Sequence, residues 1–475
     1  MQDTNNDILR SEARYRRLTE TPVPRLVLSL AVPTIISMSI SAIYNIVDSW
    51  FVGHISTVAT AGVGVAFAYQ SLIQATGFFF GHGSGNYMSR ALGARDAEGA
   101  GKMAATGFLS SFLIGVVFMV LGMLFVTPLS RLLGATPDVV PYSNAYLRWI
   151  LIATPFLISQ MTLNNQLRLQ GNAMLAMIGI AVGMVLNIFF DWLLINRLGM
   201  GVSGASLATL ISQFISWCLL LWATTLPGNV HISLRNFAPS LERYREIGAG
   251  GLPSLMRQSL SSISAICMNW AAASYALEGQ EASTIAAFTV VARVMQTAMA
   301  VILGVGQGFQ PVCAFNYGAK KYGRLMSAFR VTVIMAEAVI IVMAGAGFLF
   351  SDRLIGLFRD DPGVIGIGTR ALRLQFATLI FLPFTMAVEM LYQSTGHRLG
   401  ASLLSSARSG LFFIPSLLIL SALRGLSGIQ EAQPLAYVLA FPLSVWFVYR
   451  FVRSLPKTEK ASAQPGPGED RCSAG

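Results

Sequence analysis

The sequence predicts an all-α polytopic membrane protein: twelve transmembrane helices in two pseudo-symmetric six-helix bundles, a parallel 6+6 repeat. Three observations predict it. The 475 residues are 54% hydrophobic and only 12% charged, with a mean hydropathy of +0.60, whereas a soluble protein carries about 25% charged residues. Apolar runs long enough to cross a bilayer, which takes about 20 residues, recur along nearly the whole chain. Finally, the two halves carry the same landmarks at a shared offset. No alternating ten-residue strand pattern occurs, which argues against a barrel.

Polar punctuation separates the runs. The polar N-terminus, residues 1–25, has no apolar h-region and does not read as a cleavable signal. Spans follow at about 26–52, 58–82, 103–127, 141–163, 172–196 and 203–226, which make an N-terminal bundle over 26–226. The polar stretch 227–245 is a linker. A second set at about 247–276, 282–312, 326–350, 366–394, 400–423 and 433–452 makes a C-terminal bundle over 246–453. The tail, 454–475, is polar and Pro/Gly-containing and is expected to be disordered.

Orientation follows from Lys and Arg. They gather in the N-terminus (Arg10, Arg14, Arg16, Arg17, Arg25), after the second span (Arg90, Arg95, Lys102), in the linker (Arg235, Arg243, Arg245), after the eighth (Lys320, Lys321, Arg324) and at the C-terminus. The alternate loops are poor in basic residues, except the one after the ninth span, with Arg353 and Arg359. Both termini are therefore expected in the cytoplasm, as an even span count requires. The net charge of +11 is topological and does not form a nucleic-acid face. Cys218, Cys267, Cys313 and Cys472 show no metal or disulfide spacing.

The repeat is concrete. Gly81-His82-Gly83 matches Gly306-Gln307-Gly308, Gly93-Ala94 matches Gly318-Ala319, Arg148 matches Arg373 and Gly171 matches Gly396, all 225 residues apart. With five residues of slip, Pro33 matches Pro253. Six spans per half, both starting on one side, give a parallel repeat about an axis normal to the membrane, as transporters use.

Such a repeat carries its own control, since a residue needed only for packing should recur in both halves. Asp48, the one formal charge of the first span, aligns with Met268; Asn187 and Asp191 align with Phe412 and Ser416. A lone carboxylate in a span costs roughly 2.5–3.5 kcal/mol on insertion scales and usually faces a cavity. Asn187 and Asp191 are four apart and share a helix face. At 1.5 Å per residue, Asp48, Asn187, Asp191 and Thr209 fall within roughly 15 Å of the outer surface. Two carboxylates, an amide and a hydroxyl can hold a proton or coordinate a small hard cation through oxygen; the bland reading is a polar network that locks three helices. The second half has Arg257, Arg293, Glu337, Glu389 and Arg408, which either neutralise one another across helices or take a substrate or coupling role. Candidate substrate-cavity residues are Tyr44, Gln70, Gln74, Asn164, Gln258, Arg293, Gln296 and Glu389.

Several stretches together resemble the multidrug and toxic compound extrusion (MATE) family, in its prokaryotic branch with a cation site in the N-terminal bundle. They are Pro33 with Tyr44-Asn45-Ile46-Val47-Asp48, the Gly-rich end of the second span to Ala91-Leu92-Gly93, Gln170-Gly171-Asn172, Asn187 with Asp191, and Gly204-Ala205 with Thr209. The resemblance covers Arg25 to Arg453. It implies two bundles forming a V, export coupled to H+ or Na+, and a site of Asp48, Asn187, Asp191 and Thr209, with Ala205 adding a backbone carbonyl; with Na+ the same side chains would be the metal ligands. Some members instead use acids in the seventh and tenth spans; here the seventh has Arg257 and the tenth Glu389. The expected function is a cation-coupled antiporter in the plasma or inner membrane exporting cationic amphipathic organic compounds, working as a monomer among membrane lipid, without cofactor or nucleic acid. The alternative is a lipid-linked precursor flippase of related architecture. No H-E-x-x-H, G-x-S-x-G or phosphate-binding loop suggests an enzyme.

Overall fold

The computed structural model describes residues 2–53, 57–275, 281–358 and 361–456. The first half comprises α1 (Gln2–Glu20), α2 (Val23–Gly53), α3 (Thr57–Gly93), α4 (Ala97–Leu124), the short α5 (Val126–Leu132), α6 (Val140–Leu169), α7 (Ala173–Asp191) and α8 (Gly201–Thr225). The second comprises α9 (Leu241–Ser274), α10 (Glu281–Gly318), α11 (Tyr322–Leu349), the short α12 (Ser351–Phe358), α13 (Pro362–Thr378), α14 (Leu382–Thr395), α15 (Arg398–Ser406), α16 (Phe413–Arg424) and α17 (Leu426–Ser454). A 3₁₀ turn joins α13 to α14, and π-turns extend α7 and join α15 to α16. With α13–α14 and α15–α16 each taken as one rod, twelve rods cross the membrane, six in each half.

Ten of these rods are apolar enough to span a bilayer on their own composition; α6 and α9 are not. Both are long, 30 and 34 residues. Protein surrounds α6: it packs on α3, α4, α7 and α8 and buries Gln160, Asn165, Gln166 and Arg168. A helix shielded by neighbours can carry polar groups that lipid would reject.

Two boundaries differ from the sequence reading. The polar N-terminus folds as α1, which docks rather than trails: Leu18 is buried and the Tyr15 ring packs edge-on to Phe315. Helix α3 runs past 82 to Gly93 because its glycines are contact points, not breaks. A Cβ at Gly81 would sit 2.9 Å from the Asn165 Cβ. Close packing here outweighs glycine's penalty of about 1 kcal/mol in a helix.

The duplication is visible in the backbone. Arg95 (φ 63°) and Lys320 (φ 58°) are the non-glycine residues with positive φ among those described, and they are repeat equivalents. Each closes the same turn. Ala94, Arg95 and Asp96 donate to Arg90, Leu92 and Ala91 carbonyls; Ala319, Lys320 and Lys321 donate to Phe315, Tyr317 and Asn316.

The bundles meet at small residues. A Cβ on Gly93 would collide with the Phe315 carbonyl, and one on Gly318 with the equivalent Arg90 carbonyl, so α3 and α10 cross on the pseudo-two-fold axis. Gly83 lies on Ile247 and Gly251 on Phe79, joining α3 to α9; Gly308 lies on Ala31 and Gly304 on Ile35, joining α10 to α2. These approaches lie in the half of the spans nearest the termini. Helix α1 straps the same end: Arg14 donates to Gln170 of the first half (3.2 Å), and the Leu18 carbonyl accepts from Asn316 of the second (3.1 Å).

Candidate cation site and cross-bundle network

Helices α7 and α8 lie close because their facing residues are small. A Cβ on Gly183 would sit 2.7 Å from the Ser216 Cβ, and the Ser216 hydroxyl donates to the Gly179 carbonyl at 2.6 Å. This contact brings Asn187 and Asp191, both 0% exposed, against Thr209, 4% exposed. The Asn187 amide bridges the helices. Its nitrogen donates to Asp191 Oδ2 at 2.9 Å and its oxygen accepts the Thr209 backbone N–H at 3.1 Å; the opposite orientation would aim the amide oxygen at the carboxylate. Thr209 Oγ1 donates to the Ala205 carbonyl at 3.1 Å. Asp191 ends the α-helical part of its rod, and a π-turn, Trp192–Arg197, begins at the next residue. Such turns inside helices collect at functional sites.

Four predicted residues thus form one hydrogen-bonded chain: the Asp191 carboxyl, the Asn187 amide, Thr209 and the Ala205 carbonyl. Helix α2, which carries Asp48 and Tyr44, packs against α7; the side chains of Asp48 and Tyr44 lie outside the described residues. Among the described residues no three of His, Cys, Asp and Glu cluster as for a transition metal.

The cavity candidates separate. Gln70 donates to the Tyr146 hydroxyl (3.0 Å) and Asn164 to the Ala176 carbonyl (2.8 Å). Both turn into their own bundle, where those partners satisfy them. Gln258 donates to Gln74 at 3.0 Å, a bond between bundles. Arg293 and Gln296 are exposed. Glu389, 1% exposed, pairs with Arg257 at 2.6 Å. Arg408, also buried, lies between Met386 and the Glu389 region.

Sequence reasoning missed a network at the closed end. Buried Arg168 of α6 contacts Gln307 of α10, Asn165 of its own helix and His82 of α3. The other His82 nitrogen meets the Ser254 hydroxyl at 2.8 Å. Gln393 donates to Ser254 (2.8 Å) and to the Gly250 carbonyl (2.7 Å), and accepts from Gln310 (3.0 Å). His82 and Gln307 are repeat equivalents, as are Arg168 and Gln393. The available signal was the one residue that differs between Gly81-His82-Gly83 and Gly306-Gln307-Gly308.

Two related six-helix bundles, one of which holds a buried carboxyl bonded to a neutral amide, are the arrangement of a membrane transporter. The chain belongs to the MatE family, which matches residues 33–193 and again 253–418. Both matches begin at a proline of the aligned pair, Pro33 and Pro253. A multidrug export protein MepA from Staphylococcus saprophyticus is 27% identical over 444 residues, covering 92% of this chain and 95% of that one. The MepA of Staphylococcus aureus strain NCTC 8325 is 25% identical over 432 residues, covering 90% and 94%. Among solved structures, an outward-facing multidrug resistance MATE family transporter superposes with TM-score 0.86 at 26% identity, covering 92% of this chain and 97% of that one. A transporter from Pyrococcus furiosus, described by the reverse polarity of its binding pocket, gives 0.85 at 26% identity, covering 92% and 98%.

Proposed function

We propose that the protein exports amphipathic organic compounds with a cationic centre, by antiport against H+ or Na+. The observation that carries this is the Asn187–Asp191–Thr209 cluster, buried in one bundle and absent at the equivalent positions of the other. The multidrug export named for the MepA relatives supports the substrate class. In this reading the bundles are residues 26–226 and 246–453, joined by the linker 227–245, and both termini are cytoplasmic. The end where the bundles meet then faces the cytoplasm, and the cavity opens outward.

A cation entering from outside binds at Asp191 and Asp48. It biases the N-terminal bundle and lowers affinity for the organic cation, which is linkage between two sites. Two carboxylates in one low-dielectric pocket cannot both ionise cheaply, so a proton is our preferred coupling ion. A specific observation favours a second reading, export of anionic lipid-linked precursors: of the inward Arg168, Arg257 and Arg408, only Arg257 forms an ion pair, with Glu389, among the described residues. Proteoliposomes loaded with a cationic dye test the first reading, with sodium varied at fixed pH and then the reverse. Dye efflux that follows either gradient supports it. Headgroup translocation without dye efflux would replace it with the second.

A further inference from the structure

The repeat that isolates the cation site also isolates a groove in the C-terminal half, at the end of the spans away from the chain termini. It lies among the ends of α11, α12 and α13, has a volume of about 560 Å³, and is lined by Phe348, Asp352, Gly366, Thr369, Arg373 and Ala377, among others. The first half has the same three elements, α4, α5 and α6, and there side chains bridge them. There Ser130 donates to Asn144 (2.6 Å) and Asn144 to Thr127 (2.8 Å). The equivalents in the second half are Ile355, Thr369 and Asp352, which cannot make that chain of bonds. Thr369 Oγ1 is left buried with no hydrogen-bond partner. The walls recede as well: Pro141, Trp149 and Ile152 become Gly366, Leu374 and Ala377.

Charge tells what would fill it. Arg370 is engaged by Glu431 (3.5 Å) and Ser427 (3.1 Å). Arg373 has a ring contact, Phe348 at 5.9 Å, and among the described residues no acid pairs with it. Asp352 lies on the same groove, and among the described residues it makes no ion pair. A cation and an anion that line one groove without pairing match a headgroup that carries both signs. Exposed Phe348, Leu349, Phe350, Leu357 and Phe358 flank it, which marks a wall facing acyl chains. A guanidinium is a good partner for a lipid phosphate diester.

We propose that this groove binds one phospholipid with an ethanolamine headgroup. The phosphate diester sits on Arg373, the ammonium faces Asp352, the buried Thr369 hydroxyl donates to the lipid, and an acyl chain lies along Leu374 and Ala377. Native mass spectrometry of the detergent-purified full chain tests it, with ethanolamine, choline and glycerol phospholipids titrated separately. The ethanolamine lipid should be retained at least tenfold more than the others. Arg373→Ala should lower that retention at least fivefold, and Asp352→Asn should narrow the preference over the glycerol headgroup. Leu374→Trp with Ala377→Ile, the first half's own residues on this wall, should abolish retention. Arg148→Ala, at the equivalent exposed position of the first half, should leave it unchanged. Equal retention of all three headgroups overturns the proposal. So does retention that survives both Arg373→Ala and the filled groove. The readout does not involve transport, so it stands or falls apart from the export reading.

Discussion

Asp191 and Glu389 are both buried acids, one in each bundle, on the same duplicated backbone. Asp191 accepts from the Asn187 amide, which in turn meets Thr209, and Thr209 meets the Ala205 carbonyl. Against Glu389 the structure sets a guanidinium at 2.6 Å. An acid with a fixed cationic partner has its charge answered within the fold. An acid among neutral oxygens can take its cation from solution and give it back. The duplication supplied the scaffold twice, but among the described residues the first copy bonds its buried acid to a neutral amide and the second bonds its own to a cation.

On the proposed antiport, the largest effect should come from attacking Asp191. Asp191→Asn keeps the shape and the hydrogen-bonding capacity but removes the charge. Gradient-driven efflux in proteoliposomes should fall to the level of protein-free vesicles, with insertion and monodispersity unchanged. Asp48→Asn should do the same. Normal coupled efflux in either variant would break the comparison at its first term.

The next effect is on stability, in the other bundle. Arg257→Met leaves Glu389 buried without its partner, and removing one member of a buried pair costs about 3–5 kcal/mol. Thermal unfolding in detergent should show that loss. Arg257→Met with Glu389→Leu should recover most of it, because both charges then leave together. Glu389→Gln should reduce efflux less than Asp191→Asn. If it abolishes efflux equally, the second bundle also carries coupling, and the contrast between the two acids fails.

The contrast was half legible in the sequence. The four-residue spacing of Asn187 and Asp191 puts them on one face whatever the tertiary fold, and the repeat offset reveals that Phe412 and Ser416 replace them. Thr209 follows from depth alone. The direction of a polar side chain does not follow: Gln70 and Asn164 read as cavity residues until Tyr146 and Ala176 appear beside them. Arg168 was hidden for a related reason, since its partners His82 and Gln307 come from two other helices. The length of α3 was hidden because glycine is read as a break, and only the neighbouring helices make it a contact.

A smaller effect concerns the end where the bundles meet. Tyr15 of α1 lies under Arg95 of the first half (4.4 Å) and near Lys321 of the second (5.8 Å). Each such contact contributes about 0.5–1 kcal/mol at exposed sites. Tyr15→Ala should therefore shift the closed end toward opening by a few-fold. Spin labels on Ala94 and Ala319, at equivalent turns, would report a larger population of long distances. An unchanged distance distribution would mean that α1 decorates the closed end without holding it.

The smallest effect returns to the two copies of one turn. The residue after Gly171 is Asn172, and the residue after Gly396 is His397. Asn172 cannot titrate, whereas His397 can. Its Nδ1 meets the Thr395 hydroxyl at 2.9 Å, and one edge is exposed while the ring packs on Tyr392 and Phe451. That packing, and then the nearby Arg90 charge, hold the imidazole below its usual 6.5. A histidine whose folded value is depressed binds its proton more readily when unfolded. Stability is then fully present above pH 6.5 and is lost as pH falls through the folded value. Lowering pH from 7 toward 5 should therefore depress the unfolding midpoint slightly. His397→Asn, which installs the first half's residue, should flatten that slope without moving the midpoint at pH 7.5. Parallel curves for the two proteins would place the acid sensitivity elsewhere.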